Sequence, residues 1–296
     1  MKTTSLPLAG KPAVPVRPRS RLRHWPAALL LLPFFAMLIL FSLAPMAWVL
    51  VNSVHTEQGL SLANYGDILS SPFYRQAFDN SLRISVWSSV IGLVISLLGA
   101  ASLRRVSGRL RRFVVSITNM TSNLTGVPLA FAFIILVGTN GALTLLLRQW
   151  GLIEDFRLYS SNGVILIYTY FQIPLGVLLL YPAFDSLDDD WQAAASLLGA
   201  RLWQYWRYVG LPVLAPAILG TFILLFANAI GAYASAYALT QGNFNLITVR
   251  IASLVSGDIF LEPNMAAALS VLLMLMLLLV TAVNQWLLKK GARHAR

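Results

Sequence analysis

The chain has 296 residues, 57% of them hydrophobic and only 11% charged, and its mean hydropathy is +0.71. That is too little charge to cover a soluble domain of this length, and the apolar residues fall in blocks of about 20 or more, the length that crosses a hydrocarbon core of about 30 Å. The net charge of +11 is the basic bias of loops that flank membrane spans, which argues against a nucleic-acid partner; the absence of cysteine excludes disulfides, thiol nucleophiles and thiolate metal sites.

In chain order, residues 1–25 are Pro-rich and basic, with Lys2, Lys11, Arg17, Arg19, Arg21 and Arg23 and no acid. They read as a flexible cytoplasmic tail. The apolar run from Pro26 to Val51 is too long for the 7–15 residues of a signal-peptide core and is read as span 1, with Pro33 and Pro45 inside it. Span 2 is expected over Phe78–Leu103, span 3 over Phe113–Val137, span 4 over Gly163–Phe184, span 5 over Pro216–Thr240 and span 6 over Pro263–Leu288. A short amphipathic helix is expected over Leu143–Leu152. The segment 185–215 is the longest polar stretch that still reads as helical, and 289–296 is a basic tail. The expectation is an all-α integral membrane protein with about six transmembrane helices, spanning 26–288.

Charge sets the orientation. With both termini inside, the inner segments hold six Lys/Arg in the first tail, five in loop 104–112, two in 185–215 and four at the C-terminus, seventeen of the 22. The outer loops keep Arg75, Arg148, Arg157 and Arg250, and Arg83 lies near the outer end of span 2. Such asymmetry favours an N-in, C-in protein with six spans.

Catalysis finds little support. His24, His55 and His294 lie outside the spans, which leaves no histidine base or metal ligand at membrane depth. Ser256-Gly257 lacks such a base as well. No G-x-x-x-x-G-K-[ST] loop is present, so no catalytic residue, cofactor or metal is expected. An ion-coupled carrier or a membrane enzyme is the alternative class, but it calls for a titratable group inside the spans. None lies there except Arg83 and Asp79, near the end of span 2.

The informative segment runs from Trp191 to Pro216. Trp191, Ala194, Ala195, Leu198 and Leu202 recur at helical spacing, Gly199 lies beside that stripe, where the missing side chain would permit close approach, and Leu211-Pro212 would end the helix and turn the chain into span 5. An interfacial helix lying on lipid is the plain reading; the preceding Asp188-Asp189-Asp190 disfavours an anionic surface and points to a groove on a soluble partner.

This segment resembles the cytoplasmic coupling loop of the permease subunits of binding-protein-dependent ABC importers. That pattern is Glu-Ala-Ala, three residues, Gly-Ala and, about ten residues on, Leu-Pro with a further Pro. Ala194, Ala195, Gly199, Ala200, Leu211, Pro212 and Pro216 match it, while Ala193, with Gln192 beside it, stands where the family has glutamate. Leu60–Tyr65 and Asn80-Ser81-Leu82 resemble the family too. The resemblance implies a multi-pass protein of the bacterial inner membrane, with Trp191, Ala193, Ala194, Ala195, Leu198, Gly199, Ala200, Leu211 and Pro212 coupling it to a dimer of cytoplasmic ATP-binding subunits. It also implies a second permease subunit, expected to form a heterodimer, and a periplasmic solute-binding protein. The details of spans 3–5 look most like polyamine-type permeases, with iron, thiamine and aminophosphonate importers as near relatives.

A path for solute is sought among polar residues in the spans. Asn119, Ser122, Asn123 and Gly126 share a helical face, and Pro128 would leave the Leu124 carbonyl without a donor. Interhelical hydrogen bonding and a pathway lining are the two readings. Asn228, Gly231, Ala232 and Ser235 form a small-residue face suited to helix packing. Tyr233 and Tyr237, four residues apart, would line or gate the path, or sit at the interface.

Overall fold

The computed structural model describes residues 25–294 apart from 57–58, 107, 152, 154–158 and 257–260. The tail before Trp25, Arg157 and Gly257 therefore lie outside the described residues. The chain divides into two units at Trp48/Val49.

Helix α1 (Trp25–Leu38), in the first unit, passes through a five-residue π turn, Ile39–Leu43, into α2 (Ala44–Ser53), whose residues from Val49 on are assigned to the second. The cause is Pro45. A proline has no N–H, and its ring collides with the carbonyl four residues back, here that of Phe41. Widening the helix there, with Ala44 N–H donating to Ile39 O, relieves the collision.

The second unit is a helical bundle with one small hairpin, β1 (His55–Thr56) against β2 (Gly59–Leu60). Its helices are α3 (Ala63–Ser70), α4 (Pro72–Arg105), α5 (Gly108–Asn123), α6 (Val127–Val137), α7 (Ala142–Gln149), α8 (Ser161–Asp185), α9 (Asp189–Leu197), α10 (Leu202–Tyr205), α11 (Leu211–Ile230), α12 (Tyr233–Thr240), α13 (Ile247–Ser256) and α14 (Pro263–His294). Six helical stretches among the described residues are long and apolar enough to cross a membrane: Leu31–Ser53, Pro72–Arg105, Val127–Gln149, Ser161–Asp185, Leu202–Ile230 and Pro263–Trp286. The expected fold class and number of spans hold.

The core is the contact of α4 with α8, joined by α11. The α4 face is made of small residues, with Ser85, Ser88, Ser89, Gly92, Ser96 and Ala100 all buried. Small side chains let helix backbones approach closely where no hydrophobic effect drives association. A Cβ on Gly92 would lie 2.8 Å from Gln172 Cβ, and one on Gly176 would lie 2.4 Å from Ser96 Oγ. Gln172, 1% exposed on α8, ties the three helices: its Nε2 donates to Ser89 Oγ at 2.9 Å and to Leu225 O at 3.0 Å. Interhelical bonds of this kind contribute about 0.6–2 kcal/mol each.

At the end of the bundle opposite loop 104–112, the Asn80-Ser81 pair has a structural task. Asn80 Nδ2 donates to Asn245 O at 3.1 Å, and Ser81 Oγ accepts from Ile247 N–H at 2.9 Å, at the first residue of α13. Asn245 also donates to Phe73 O and accepts from Arg250 Nε. Burial holds the Arg250 guanidinium below its usual pKa.

Two expected spans are redrawn. The stretch read as one helix, 113–137, breaks at Leu124–Gly126, where Gly126 takes φ +80°. Pro128 therefore lies in the first turn of α6, where a missing N–H costs nothing, and the Leu124 carbonyl is not orphaned within a helix. The apolar stretch long enough to cross begins at Val127 and continues through α7. The fifth span starts at Leu202, upstream of Pro216, and ends at Ile230, where Gly231-Ala232 separates α11 from α12. Tyr168 Oη donates to Ala232 O at 2.9 Å and holds that break against α8.

Candidate coupling site and transport path

Helix α9 begins with its own cap. Asp188 takes extended backbone, and its carboxylate accepts the Asp190 N–H at 3.0 Å, satisfying one of the donors that every helix N-terminus leaves open. Asp189 and Asp190 in the first turn favour the positive end of the helix dipole.

The helix ends at Gly199. This residue has φ +79°, its N–H donates to Ser196 O at 3.0 Å, and Ala200 N–H donates to Ala195 O at 3.0 Å. Those are the two bonds of a Schellman motif, with glycine at the left-handed position. The reason for Gly199 is therefore corrected. A Cβ there would meet nothing within 4 Å, so backbone conformation, and not close approach to a neighbour within the chain, requires the glycine. Ala195 and Ala200 supply the acceptor and donor that close the turn.

Leu211-Pro212 does not end a helix either. After the turn at Gly199, α10 starts with Gln204 Oε1 accepting from Arg201 N–H at 2.7 Å. The helix then runs through a π turn, Trp206–Gly210, into α11, with Leu211 N–H donating to Trp206 O. Pro212 would collide with the Tyr208 carbonyl, inside that π turn. The cause is the one seen at Pro45.

The predicted coupling residues thus separate into two groups. Trp191, Ala193, Ala194 and Ala195 lie on α9, Leu198 caps it, and Gly199 and Ala200 form its turn. Leu211 and Pro212 belong to α11. Trp191 is 43% exposed and Leu198 87%. Leu197, 89% exposed, was not on the helical-spacing stripe, yet it projects as far as its neighbour. Periodicity alone does not register it; the pair Leu197-Leu198 just before Gly-Ala is the signal available.

The segment is held by two ion pairs that the sequence reading did not join. Arg104, at the end of α4, donates to Leu187 O and to Asp189 Oδ1, both at 2.5 Å. Arg111 on α5 reaches both oxygens of Asp185 at 2.6 and 2.7 Å and lies 4.8 Å over the Tyr181 ring. A half-exposed pair stabilises by up to about 1 kcal/mol. Accordingly, Arg111→Ala and Asp185→Ala should each speed protease cleavage within 185–200 of the membrane-embedded chain by up to about fivefold. The double reversal Arg111→Asp with Asp185→Arg should recover part of the loss. Unchanged cleavage in the single variants would show that the pair does not hold the segment.

The path residues are less gathered. Asn119, Ser122 and Asn123 lie on α5, which packs on α8. The side chains of Ser122 and Asn123 bond back on the helix itself: Ser122 Oγ and Asn123 Nδ2 both donate to Asn119 O at 2.8 Å, and Thr118 and Thr121 donate to Val114 O and Ile117 O. These bonds lie within one helix, so for Ser122 and Asn123 the interhelical reading is corrected. Asn228 is exposed near the end of α11. Tyr233 and Tyr237 are on α12 with ring centroids 5.6 Å apart, and α12 packs on α6. The Asn119 and Asn228 amides are without hydrogen-bond partners among the described residues.

The fold is that of polytopic permeases. It superposes on a chain of a bacterial ABC transporter involved in the import of alginate with a TM-score of 0.73 at 18% identity, covering 93% of this chain and 97% of that one. A chain of the MetNI methionine ABC transporter matches with a TM-score of 0.56 at 17% identity, covering 73% and 94%. At sequence level, residues 88–292 match the family described as "Binding-protein-dependent transport system inner membrane component". The chain belongs to this family and is a multi-pass protein of the inner membrane. It is 27% identical over 213 residues to the thiamine transport system permease ThiP of Salmonella typhimurium, covering 70% of this chain but only 39% of that protein's length. It is 26% identical to the spermidine/putrescine permease PotB of Haemophilus influenzae, covering 86% and 93%. It is 27% identical to the sn-glycerol-3-phosphate permease UgpA of Agrobacterium fabrum, covering 90% and 95%.

Proposed function

We propose that this chain is the permease subunit of an ATP-driven importer, passing a small solute from a periplasmic binding protein to the cytoplasm with both termini inside. The observation that carries this reading is the α9 hook. Its cap, its Schellman turn, the Arg104–Asp189 pair on its first turn and the Arg111–Asp185 pair just before it hold Leu197 and Leu198 out from the end of the bundle that bears the basic 104–112 loop. An exposed apolar tip on a fixed helix is what a groove on a soluble subunit can grip. Family membership supports an ATP-binding dimer as that partner and a second permease as the other half of the pore; we take that second permease to be a different chain, which makes the pore a heterodimer.

We assign the path to the break at Leu124–Gly126, with Asn119, Ser122 and Asn123 on the helix before it, and Asn228, Tyr233 and Tyr237 as its candidate lining on α11 and α12. Broken helices within a membrane offer free backbone groups to solute, and the α6 N-terminus has no side-chain cap. A polyamine-type cargo is the reading supported by the residue resemblance and by the Haemophilus influenzae relative.

Purifying the tagged chain from its native host in mild detergent tests the assembly: an ATP-binding subunit and a second permease should be recovered with it. Recovery of the chain alone would overturn the reading. Uptake of labelled spermidine by cells with and without the gene tests the cargo.

A further inference from the structure

Helices α4 and α8 form a groove that the transport reading leaves unused. Arg83, Trp87, Ile91 and Ile95 recur every four residues along α4, which places them in one row. Asn162, Ile165, Leu166 and Thr169 of α8 form the facing wall, and the groove between them has a volume of about 490 Å³. It is polar at one end, with Arg83 and Asn162, and apolar along the rest.

The depth of Arg83 follows from helix geometry. Arg104 and Arg83 are 21 residues apart on one unbroken helix, about 31 Å at 1.5 Å per residue. That equals the hydrocarbon thickness of about 30 Å. With Arg104 in the basic boundary, Arg83 reaches the opposite boundary, at headgroup level. Trp87, one turn deeper and 54% exposed, is in the belt where indoles collect. Arg83 is exposed and pairs with no acid among the described residues, where the ion pairs are those of Arg104 and Arg111.

We infer that this groove is a binding site for an anionic phospholipid, whose phosphate pairs with Arg83 and Asn162 while an acyl chain lies along Trp87, Ile91 and Ile95. Charge complementarity selects this occupant. An apolar face alone would accept any chain or helix, but an unpaired guanidinium at headgroup level calls for a phosphate, which it can hold with two parallel bonds. The acyl chain then fills the row below at the depth where chains begin. The site rests on α4 and α8 alone and stands whatever the cargo.

Native mass spectrometry of the full-length chain in detergent, titrated with phosphatidylglycerol or phosphatidylcholine, tests it. The wild type should retain phosphatidylglycerol about fivefold better than phosphatidylcholine. Arg83→Gln should abolish that preference, and Arg83→Lys should keep most of it, which shows that the loss is not misfolding. Ile91→Trp, which fills the groove, should lower retention of both lipids. Equal retention of phosphatidylglycerol by wild type and Arg83→Gln would overturn the site. So would an Ile91→Trp variant that loses a chain–chain dimer while binding lipid normally, since a second copy would then be the occupant.

Discussion

Replacing Gly199 by glutamate should abolish ATP-dependent uptake while the chain still reaches the membrane in normal amount. Two effects combine. Gly199 adopts φ +79°, and an ordinary L residue forced into left-handed backbone costs about 1–2 kcal/mol, enough to fray the Schellman turn. Glutamate also places a carboxylate beside Leu197 and Leu198, on the face proposed to dock. A substitution series separates the two. Gly199→Asn should retain most uptake, because asparagine takes this conformation at low cost. Gly199→Ala should be intermediate, since a Cβ here meets open space and only the backbone term opposes it. Uptake of a labelled substrate and an immunoblot of the membrane fraction measure both quantities. Normal uptake by Gly199→Glu would overturn the docking model.

The series also shows what could be read from the residues and what could not. Hydropathy alone located six spans, because burying or lipid-coating about 20 apolar residues leaves few alternatives. The motif from Ala194 to Ala200 was legible as part of a helix, but its end there was not: the stripe at helical spacing continues to Leu202, and spacing cannot tell a glycine needed for space from one needed for positive φ. Prolines misled in a consistent way. Pro212 reads as a stop and Pro128 as an interruption, yet the chain absorbs one with a π turn and uses the other to start a helix. The cue at Pro128 was local, since Gly126, two residues before it, readily takes positive φ and a proline fits the first turn of a helix. In the polar run Thr118–Asn123, Thr118, Thr121, Ser122 and Asn123 bond back on their own helix, because Ser, Thr and Asn reach carbonyls three or four residues back, and only the Asn119 amide is left without a partner among the described residues. The ion pairs Arg104–Asp189 and Arg111–Asp185 join segments more than 70 residues apart. Both charge runs were visible; which acid meets which base depends on α5 lying on α8, which no local pattern encodes.

The double variant Leu197→Asp with Leu198→Asp should lose the ATP-binding subunit on purification and fail to transport. In the single chain these side chains are 89% and 87% exposed, so changing them removes almost no internal contact, and folding and insertion should be unaffected. In a docked state each would move from water into an apolar groove, a transfer that stabilises by about 1.5–3 kcal/mol per leucine. Losing one weakens association by roughly 10- to 100-fold, and an aspartate adds the cost of desolvating a charge. Leu197→Ala and Leu198→Ala should therefore be graded and close to additive, whereas the aspartates should act singly. The departure at Ala193 sharpens this expectation. Where the family pattern has a glutamate, this chain has a methyl group, so under the docking proposal more of the grip falls to the leucine tip and Trp191. Raising the salt concentration during purification should then leave the complex largely intact, because apolar contacts are not screened. A complex that survives both aspartates but dissociates in salt would show that charges, and not Leu197 and Leu198, hold the two subunits together.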